Sequence, residues 1–190
     1  RKADPAIRER ILQEAEHVIH LKGYNHACLE EIATACGMTK ANLFHHYKSK
    51  SDLALAVLDY KIAEFQSRKI APLCAQAAPE EAVEDMFTQA ERFFSGNGCK
   101  AGCFVGNIAL EMSDLDEVFR LRAAGFFDAW AGGMAACLER CKATGYFGSS
   151  LDVRAASESL VALYEGTIML ARTRRDASVF GRVGKVARQI

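Results

Sequence analysis

Apolar residues recur along the chain at intervals of three and four, which is the spacing of one face of an α-helix. The first apolar stripe starts at Ile7. The helix that carries it is predicted to begin at Asp4–Pro5 and to end at Gly23. No segment alternates apolar and polar residues as a half-buried strand would. The pattern therefore predicts an all-α protein of about nine helices.

Turn signals divide these helices into two groups. Three short helices and the start of a fourth fill residues 1–50, and a larger apolar bundle fills residues 51–190. Helix 4 is predicted to begin with the capping-box pattern at Ser49, to connect the two parts, and to end near residue 70. Pro72 and Pro79 then predict a break between helices.

Composition narrows the class of protein. The chain has 190 residues, zero net charge and an odd number of cysteines, seven, which argues against a disulfide framework and fits a reducing cytoplasm. No apolar run is long enough for a membrane helix, so no membrane partner is expected. Residues 1–50 hold eight Lys/Arg, six Asp/Glu and all five His, which makes this part the mildly cationic end.

The polar chemistry concentrates between residues 28 and 50. A helix over about 28–36 stops at Gly37, and Thr39 caps a second short helix, which is the spacing of a helix-turn-helix. The residues predicted to face base edges are Thr39, Lys40, Ala41 and Asn42. Those predicted to contact phosphates are His45, His46, Tyr47, Lys48 and Lys50. Plain helical bundles contain similar pieces, so the spacing alone leaves both interpretations open.

Residues 11–57 resemble the N-terminal DNA-binding domain of TetR-family transcriptional regulators. The resemblance rests on Gly23–Tyr24, Ile32–Ala33, Gly37, the LFHHY segment 43–47, Ser49–Lys50 and Leu53. Segments 102–114 and 160–173 resemble one branch of the same family more loosely. The resemblance implies an all-helical homodimer that binds a palindromic double-stranded operator through residues 1–50. It also implies that residues 51–190 bind a small-molecule effector, which relieves repression, and form the dimer.

Three positions depart from the family pattern. Ala27 and Cys28 stand where Thr or Ser is usual, so the customary cap of the second helix is missing, and Cys28 is expected near the DNA. Phe44 stands where Tyr is usual, and Tyr47 stands where Phe is usual. We expect Tyr47 to supply the phosphate-binding hydroxyl that Phe44 lacks.

The effector pocket is predicted among helices 5 to 8, because cavities in helical bundles form between helices. Its predicted lining is Phe87, Cys103, Phe104, Asn107, Phe127, Trp130 and Tyr164. The expected effector is small and apolar, aromatic or electrophilic. Helix 8 is predicted to form the dimer with the last helix through a seam of Ala156, Leu160, Leu163, Thr167 and Leu170. The alternative is that this seam faces the interior of one chain.

The cysteines raise a second hypothesis. Cys103 follows Gly102 at a helix start with Lys100 close by, and both features favour a reactive thiolate. The alternative function is therefore a thiol-based sensor of oxidants or electrophiles using Cys103, with Cys99 as a possible disulfide partner. The other interpretation is that the Cys103 thiol only packs against its neighbours and senses nothing. No metal or cofactor is expected, because residues 51–190 contain no His to complete a zinc site.

Other function classes find little support in the sequence. The chain has no C-x-x-C pair, no Ser-His-Asp arrangement and no glycine-rich phosphate loop, so it is not expected to be an enzyme. A further alternative is a helical interaction module that has lost DNA binding, given the departures at Ala27, Cys28 and Phe44.

Overall fold

The computed structural model describes residues 4–75, 79–148 and 150–188. Within these residues the chain is all-helical and contains no strand, which confirms the predicted fold class. The first helices are α1 Pro5–Lys22, α2 Leu29–Ala35 and α3 Lys40–His46. Helix α4 comprises Lys50–Phe65, a π-helical segment Gln66–Ile70 and Ala71–Ala75. The others are α5 Pro79–Gly96, α6 Phe104–Met112, α7 Glu117–Ala143, α8 Val153–Arg174 and α9 Val179–Ala187.

Two compact units share these helices. The first unit contains the chain up to Ala63 together with Phe104–Ala123, and the second contains Glu64–Cys103 and the chain from Ala124 onward. The sequence-based division at residue 50 therefore differs from the packing of the chain. The first unit includes most of α4, the whole of α6 and the beginning of α7.

Local capping explains where the first helices begin. Asp4 accepts a hydrogen bond from the Ala6 amide at 3.0 Å, and Pro5 occupies the first turn, where no amide hydrogen is needed. At the start of α4 the Asp52 amide donates to Ser49 Oγ at 3.0 Å, while Asp52 Oδ2 accepts from the Lys48 amide at 2.9 Å. Ser49 therefore caps α4 as the sequence predicted, while the carboxylate of Asp52 bonds to the amide of the residue before the cap.

Helix α4 passes through Pro72 instead of ending before it. The prediction that it ends near residue 70 was wrong, because the helix continues to Ala75. Pro72 has no amide hydrogen and its ring crowds the preceding turn. The wider π-helical turn over Gln66–Ile70 immediately precedes this position and relieves both problems. Residues 76–78 of the predicted break lie outside the described residues.

An aromatic cluster forms the centre of the second unit. The Trp130 ring lies 4.8 Å from the Phe65 ring and 5.1 Å from the Tyr164 ring, in edge-to-face contacts. Helix α9 closes over Phe87 at Gly184, where a Cβ atom would come within 2.9 Å of the Phe87 Cβ. A glycine at this position therefore lets α9 pack directly on α5.

Candidate nucleic-acid interface and ligand cavity

The turn between α2 and α3 ends one helix and exposes the next. Gly37 has a φ of 64°, and the Met38 amide donates to the Ala33 carbonyl at 2.9 Å, which is a Schellman stop for α2. Thr39 then caps α3 by accepting from the Asn42 amide at 3.2 Å. Leu43 is buried and anchors α3 within the first unit. Along the opposite side of α3 the exposed residues are Thr39, Lys40, Ala41, Asn42, Phe44 and His45.

Lys40 is oriented before any partner binds. Its ammonium forms a salt bridge with Glu30 of α2 and lies 5.9 Å from the centre of the Phe44 ring. The hydrogen bond from Lys40 holds the pKa of the Glu30 carboxyl below its usual value. Because both residues are exposed, a nucleic acid base can compete with Glu30 for Lys40. Phe44 adds an exposed apolar ring suited to a thymine methyl group.

Lys50 lies at the first turn of α4 and ties down the loop before α2. Its Nζ donates to the Asn25 carbonyl at 3.1 Å and lies 4.7 Å from the centre of the Tyr24 ring. The Asn25 amide in turn donates to Glu111 Oε2 of α6 at 3.2 Å. No local pattern predicted the Glu111 contact, because 86 residues separate the two partners. Lys48, by contrast, is fully available at the surface.

Tyr47 does not present a hydroxyl to the surface, so its predicted phosphate contact was wrong. The residue is 4% exposed, and its hydroxyl is buried beside the Arg8 side chain. Its ring packs under the guanidinium of Arg8, which lies 5.7 Å from the ring centre. Burial raises the pKa of the Tyr47 phenol above its usual value. The family pattern places a phenylalanine here, and the structure shows the corresponding apolar environment.

Replacing Tyr47 with phenylalanine is expected to leave DNA affinity unchanged and to change the free energy of unfolding by no more than about 1 kcal/mol. The buried hydroxyl loses its hydration on folding, and its interaction with Arg8 offsets that cost. Thermal unfolding and fluorescence anisotropy on DNA check the two parts. A weakened complex with unchanged stability would instead place this hydroxyl at a phosphate.

Cys28 and His46 border the same surface. Cys28 is exposed and occupies the N-cap position of α2, where its side chain makes no capping hydrogen bond. This agrees with the expectation that the usual Thr or Ser cap is missing. His46 is half-buried, and together with Asn42 and His45 it lines a shallow groove between α1 and α3. The groove also contains Arg10, which the sequence did not single out.

The predicted pocket residues do not share one site. Phe87, Trp130 and Tyr164 belong to the aromatic cluster of the second unit, whereas Phe104 and Asn107 belong to α6 in the first unit. The Phe104 ring packs 5.4 Å from the His20 ring. Phe127 lines an open groove of 770 Å³ between α7 and α8.

A cavity of 60 Å³ lies beside the aromatic cluster. Its walls come from α4, α5, α7 and α8, so α4 contributes where the sequence had proposed α6. Its lining residues are Phe65, Arg68, Lys69, Pro72, Leu73, Ala82, Asp85, Met86, Gln89, Trp130 and Tyr164. Apolar walls with a few polar groups are typical of small-molecule sites.

Cys103 is half-buried and precedes α6 directly. Its thiol hydrogen-bonds with the carboxyl of Glu165, and burial raises the pKa of that carboxyl while the Cys103 contact opposes the rise. Sequence reasoning had placed a cation, Lys100, beside this thiol and had missed the acid. Cys99 is buried, and its carbonyl oxygen accepts a hydrogen bond from Arg175 at 2.9 Å.

Three further cysteines lie away from the surface. Cys36, Cys137 and Cys141 are buried in the apolar core. Across residues 4–75, 79–148 and 150–188, no group of three His, Cys, Asp or Glu side chains could hold a metal ion. None of the helices in the described ranges is long and apolar enough to cross a membrane.

The predicted dimer seam lies mostly inside one chain, which corrects that expectation. Ala156, Leu160 and Thr167 are 6%, 1% and 2% exposed, so they have almost no surface left for a partner. Leu163 is half-buried, and Leu170 is exposed. The opposite side of α8 carries the exposed small and apolar residues, which are Ala155, Ala162, Gly166, Met169 and Leu170.

Both parts of the chain match known protein families. A family described as "Bacterial regulatory proteins, tetR family" matches residues 11–57. A second, described as "Tetracyclin repressor-like, C-terminal domain", matches residues 79–187.

Individual proteins of this kind are also similar to the chain, over most of their own length. The transcriptional regulator AcuR of Cereibacter sphaeroides is 28% identical over 158 residues, which cover 83% of this chain and 72% of AcuR. The transcriptional repressor DhaR of a Mycobacterium species is 23% identical over 172 residues, covering 90% of this chain and 84% of DhaR. A solved TetR-family regulator from Agrobacterium tumefaciens superposes with a TM-score of 0.87 at 26% identity, covering 97% and 96% of the two chains.

Proposed function

The chain belongs to the TetR family of bacterial transcriptional regulators, and on that premise we propose that it is a homodimeric repressor that a small effector releases from a palindromic operator. The observation that carries this proposal is the exposed side of α3. There Lys40 and Asn42, which can read base edges, stand beside small Ala41 on a helix that Leu43 anchors.

DNA recognition divides between reading and positioning. The first turn of α3 enters the major groove, where Lys40 contacts guanine and Asn42 contacts adenine. Lys48 and the amide groups at the start of α4 contact phosphates on the flanking strand, and Lys50 joins them from its place over Tyr24. His45 and His46 border the same backbone. Operator half-sites are about one helical turn apart, as in other two-fold helix-turn-helix proteins.

The dimer forms through the exposed side of α8. Met169 is 57% exposed and Leu170 is 38% exposed, next to the small residues Ala162 and Gly166. Exposed apolar side chains beside small residues allow two helices to approach closely and bury their apolar area. The second copy supplies the second α3 that a palindrome requires. Replacing both Met169 and Leu170 with glutamate is expected to convert the dimer into a monomer. Light scattering measures the mass that decides this.

The proposal is tested by fluorescence anisotropy on DNA from upstream of the protein's own gene, with the salt concentration varied. A repressor of this kind binds with an affinity that falls steeply with salt, and two protomers bind each duplex. A protein that binds no duplex even at low salt would instead be a helical interaction module.

A second candidate function is sensing of electrophiles by Cys103. Its thiol is half-buried rather than sealed, and the Glu165 carboxyl beside it can receive the thiol proton. Addition of the sulfur to N-ethylmaleimide forms a carbon–sulfur bond, and the proton passes to the neighbouring ring carbon.

Treatment with N-ethylmaleimide is expected to lower DNA affinity by about tenfold or more, within the usual range of allosteric coupling. The Cys103→Ser variant is expected to resist, whereas Cys28→Ser, which removes the exposed thiol of the first unit, is expected to respond like the wild type. If treatment leaves the wild type unchanged, the Cys103 thiol only packs. If Cys28→Ser alone resists, the block lies at the DNA surface.

A further inference from the structure

The cavity beside Trp130 has room for a small molecule. Its volume of 60 Å³ exceeds what a single water molecule needs. One wall is aromatic, since Trp130, Tyr164 and Phe65 all line it and Trp130 contacts both other rings. The space therefore fits a short apolar body.

The polar side of the cavity carries charged groups. Lys69 and Arg68 come from α4, and Asp85 is the acidic residue of the lining. Arg68 pairs with Glu64 at 2.9 Å. The Lys69 Nζ donates to a neutral partner, the amide oxygen of Gln89, at 3.0 Å. The sequence had suggested no such anion site, because Lys69 and Gln89 lie 20 residues apart on different helices.

Lys69 is placed to meet a ligand from solvent. Its side chain is exposed, yet desolvation by its surroundings lowers the pKa of its ammonium from the usual value. An anion in contact with the ammonium would remove this penalty, since an opposite charge favours the charged form. The Gln89 side chain also carries an amide NH₂ that can donate to the same anion.

We propose that this cavity binds a small monocarboxylate, with the carboxylate on Lys69 and Gln89 and the short apolar body against Trp130 and Tyr164. The proposal names the chemical class of the effector and so rests on the proposed function above. Carboxylates suit the site because one negative charge matches the Lys69 ammonium, which is hydrogen-bonded to a neutral amide, and one apolar end matches the aromatic wall.

Trp130 is the only tryptophan of the chain, so its fluorescence reports on the cavity directly. The test titrates the full-length protein with propionate, with its neutral isostere propionamide and with propylamine. Propionate is expected to give a saturable change in emission, and propionamide to bind about tenfold or more weakly, as the loss of a charge-assisted hydrogen bond predicts. Equal binding of the acid and the amide would overturn the proposal.

Variants separate the site from general effects. Lys69→Met keeps the apolar stem and is expected to weaken propionate by about tenfold or more, without changing propionamide. Lys100→Met, an exposed lysine outside the cavity lining, is the matched control and is expected to bind like the wild type. Unchanged propionate binding in Lys69→Met would contradict the assignment.

DNA anisotropy in the same samples distinguishes this proposal from the function on which it rests. Binding of propionate that depends on Lys69 and also lowers DNA affinity supports both. Binding that depends on Lys69 but leaves DNA affinity unchanged supports the carboxylate site and contradicts its role as the effector site. The absence of any Trp130 response overturns the carboxylate site, whatever the DNA result.

Discussion

Replacing Lys48 and Lys50 together with alanine is expected to lower affinity for every duplex by about 100-fold or more at moderate salt. In the proposed complex each lysine donates to a phosphate, and a hydrogen bond to a charged group contributes about 1.5–3 kcal/mol. Phosphate contacts carry no base information, so the loss is the same for all sequences. The slope of log affinity against log salt should also become shallower, by the amount that corresponds to the loss of about two phosphate contacts.

The matched control for this pair is Lys100→Ala, which removes an exposed lysine from the second unit. It is expected to bind DNA as the wild type does. Circular dichroism and thermal unfolding verify that the double variant still folds, since Lys50 also holds the Asn25 carbonyl and the Tyr24 ring. A loss confined to one DNA sequence, or an equal loss in Lys100→Ala, would refute the phosphate assignment.

Replacing Gly23 with alanine is expected to lower the free energy of unfolding of the first unit by about 2–4 kcal/mol. Gly23 has φ 82° and ψ 162°, a backbone region that is essentially confined to glycine. A Cβ atom there would overlap Glu111 Oε1. The carboxylate must then move, and the hydrogen bond from the Asn25 amide to Glu111 is lost.

Gly37→Ala supplies the comparison for this prediction. Gly37 also has a positive φ, 64°, but no atom lies within 4 Å of the Cβ it lacks, so only about 1 kcal/mol of backbone strain is expected. Urea unfolding measures the stability of both variants. Equal losses in Gly23→Ala and Gly37→Ala would mean that the Glu111 contact contributes nothing.

Local chemistry made much of the first unit predictable. The starts at Asp4–Pro5, Thr39 and Ser49 depend on side chains that bond to amides two to four residues away, and these patterns are visible in the sequence. The same holds for Gly37, which the α2 stop requires. The family resemblance depends on this set of local signals, which explains its specificity.

Contacts between distant residues were not predictable in this way. Asn25 with Glu111 and Lys69 with Gln89 join helices whose pairing no local pattern records. Helix α8 shows a related ambiguity, because small and apolar residues lie on two of its sides. The sequence favoured the side containing Leu160 as the dimer seam, whereas that side packs within the chain and the side containing Met169 is exposed.

The predictions for Tyr47 and for the helix end before Pro72 were wrong for a different reason. In each case a local rule was correct, but tertiary structure satisfied it in another manner. A tyrosine hydroxyl usually seeks a polar partner, yet Tyr47 fills a position that needs an apolar ring. A proline usually ends a helix, yet the π-helical turn Gln66–Ile70 accommodates Pro72 within α4.

Selection from random-sequence duplexes, with the wild type beside the Lys40→Ala and Asn42→Ala variants, tests the central claim most directly. The wild type is expected to enrich an inverted repeat whose half-sites lie about one helical turn apart. Each variant is expected to lose preference at one base pair of each half-site, worth about 1–3 kcal/mol, while still binding DNA. Enrichment of the same inverted repeat by all three proteins, or of no sequence by the wild type, would contradict the assignment of α3 as the reading helix.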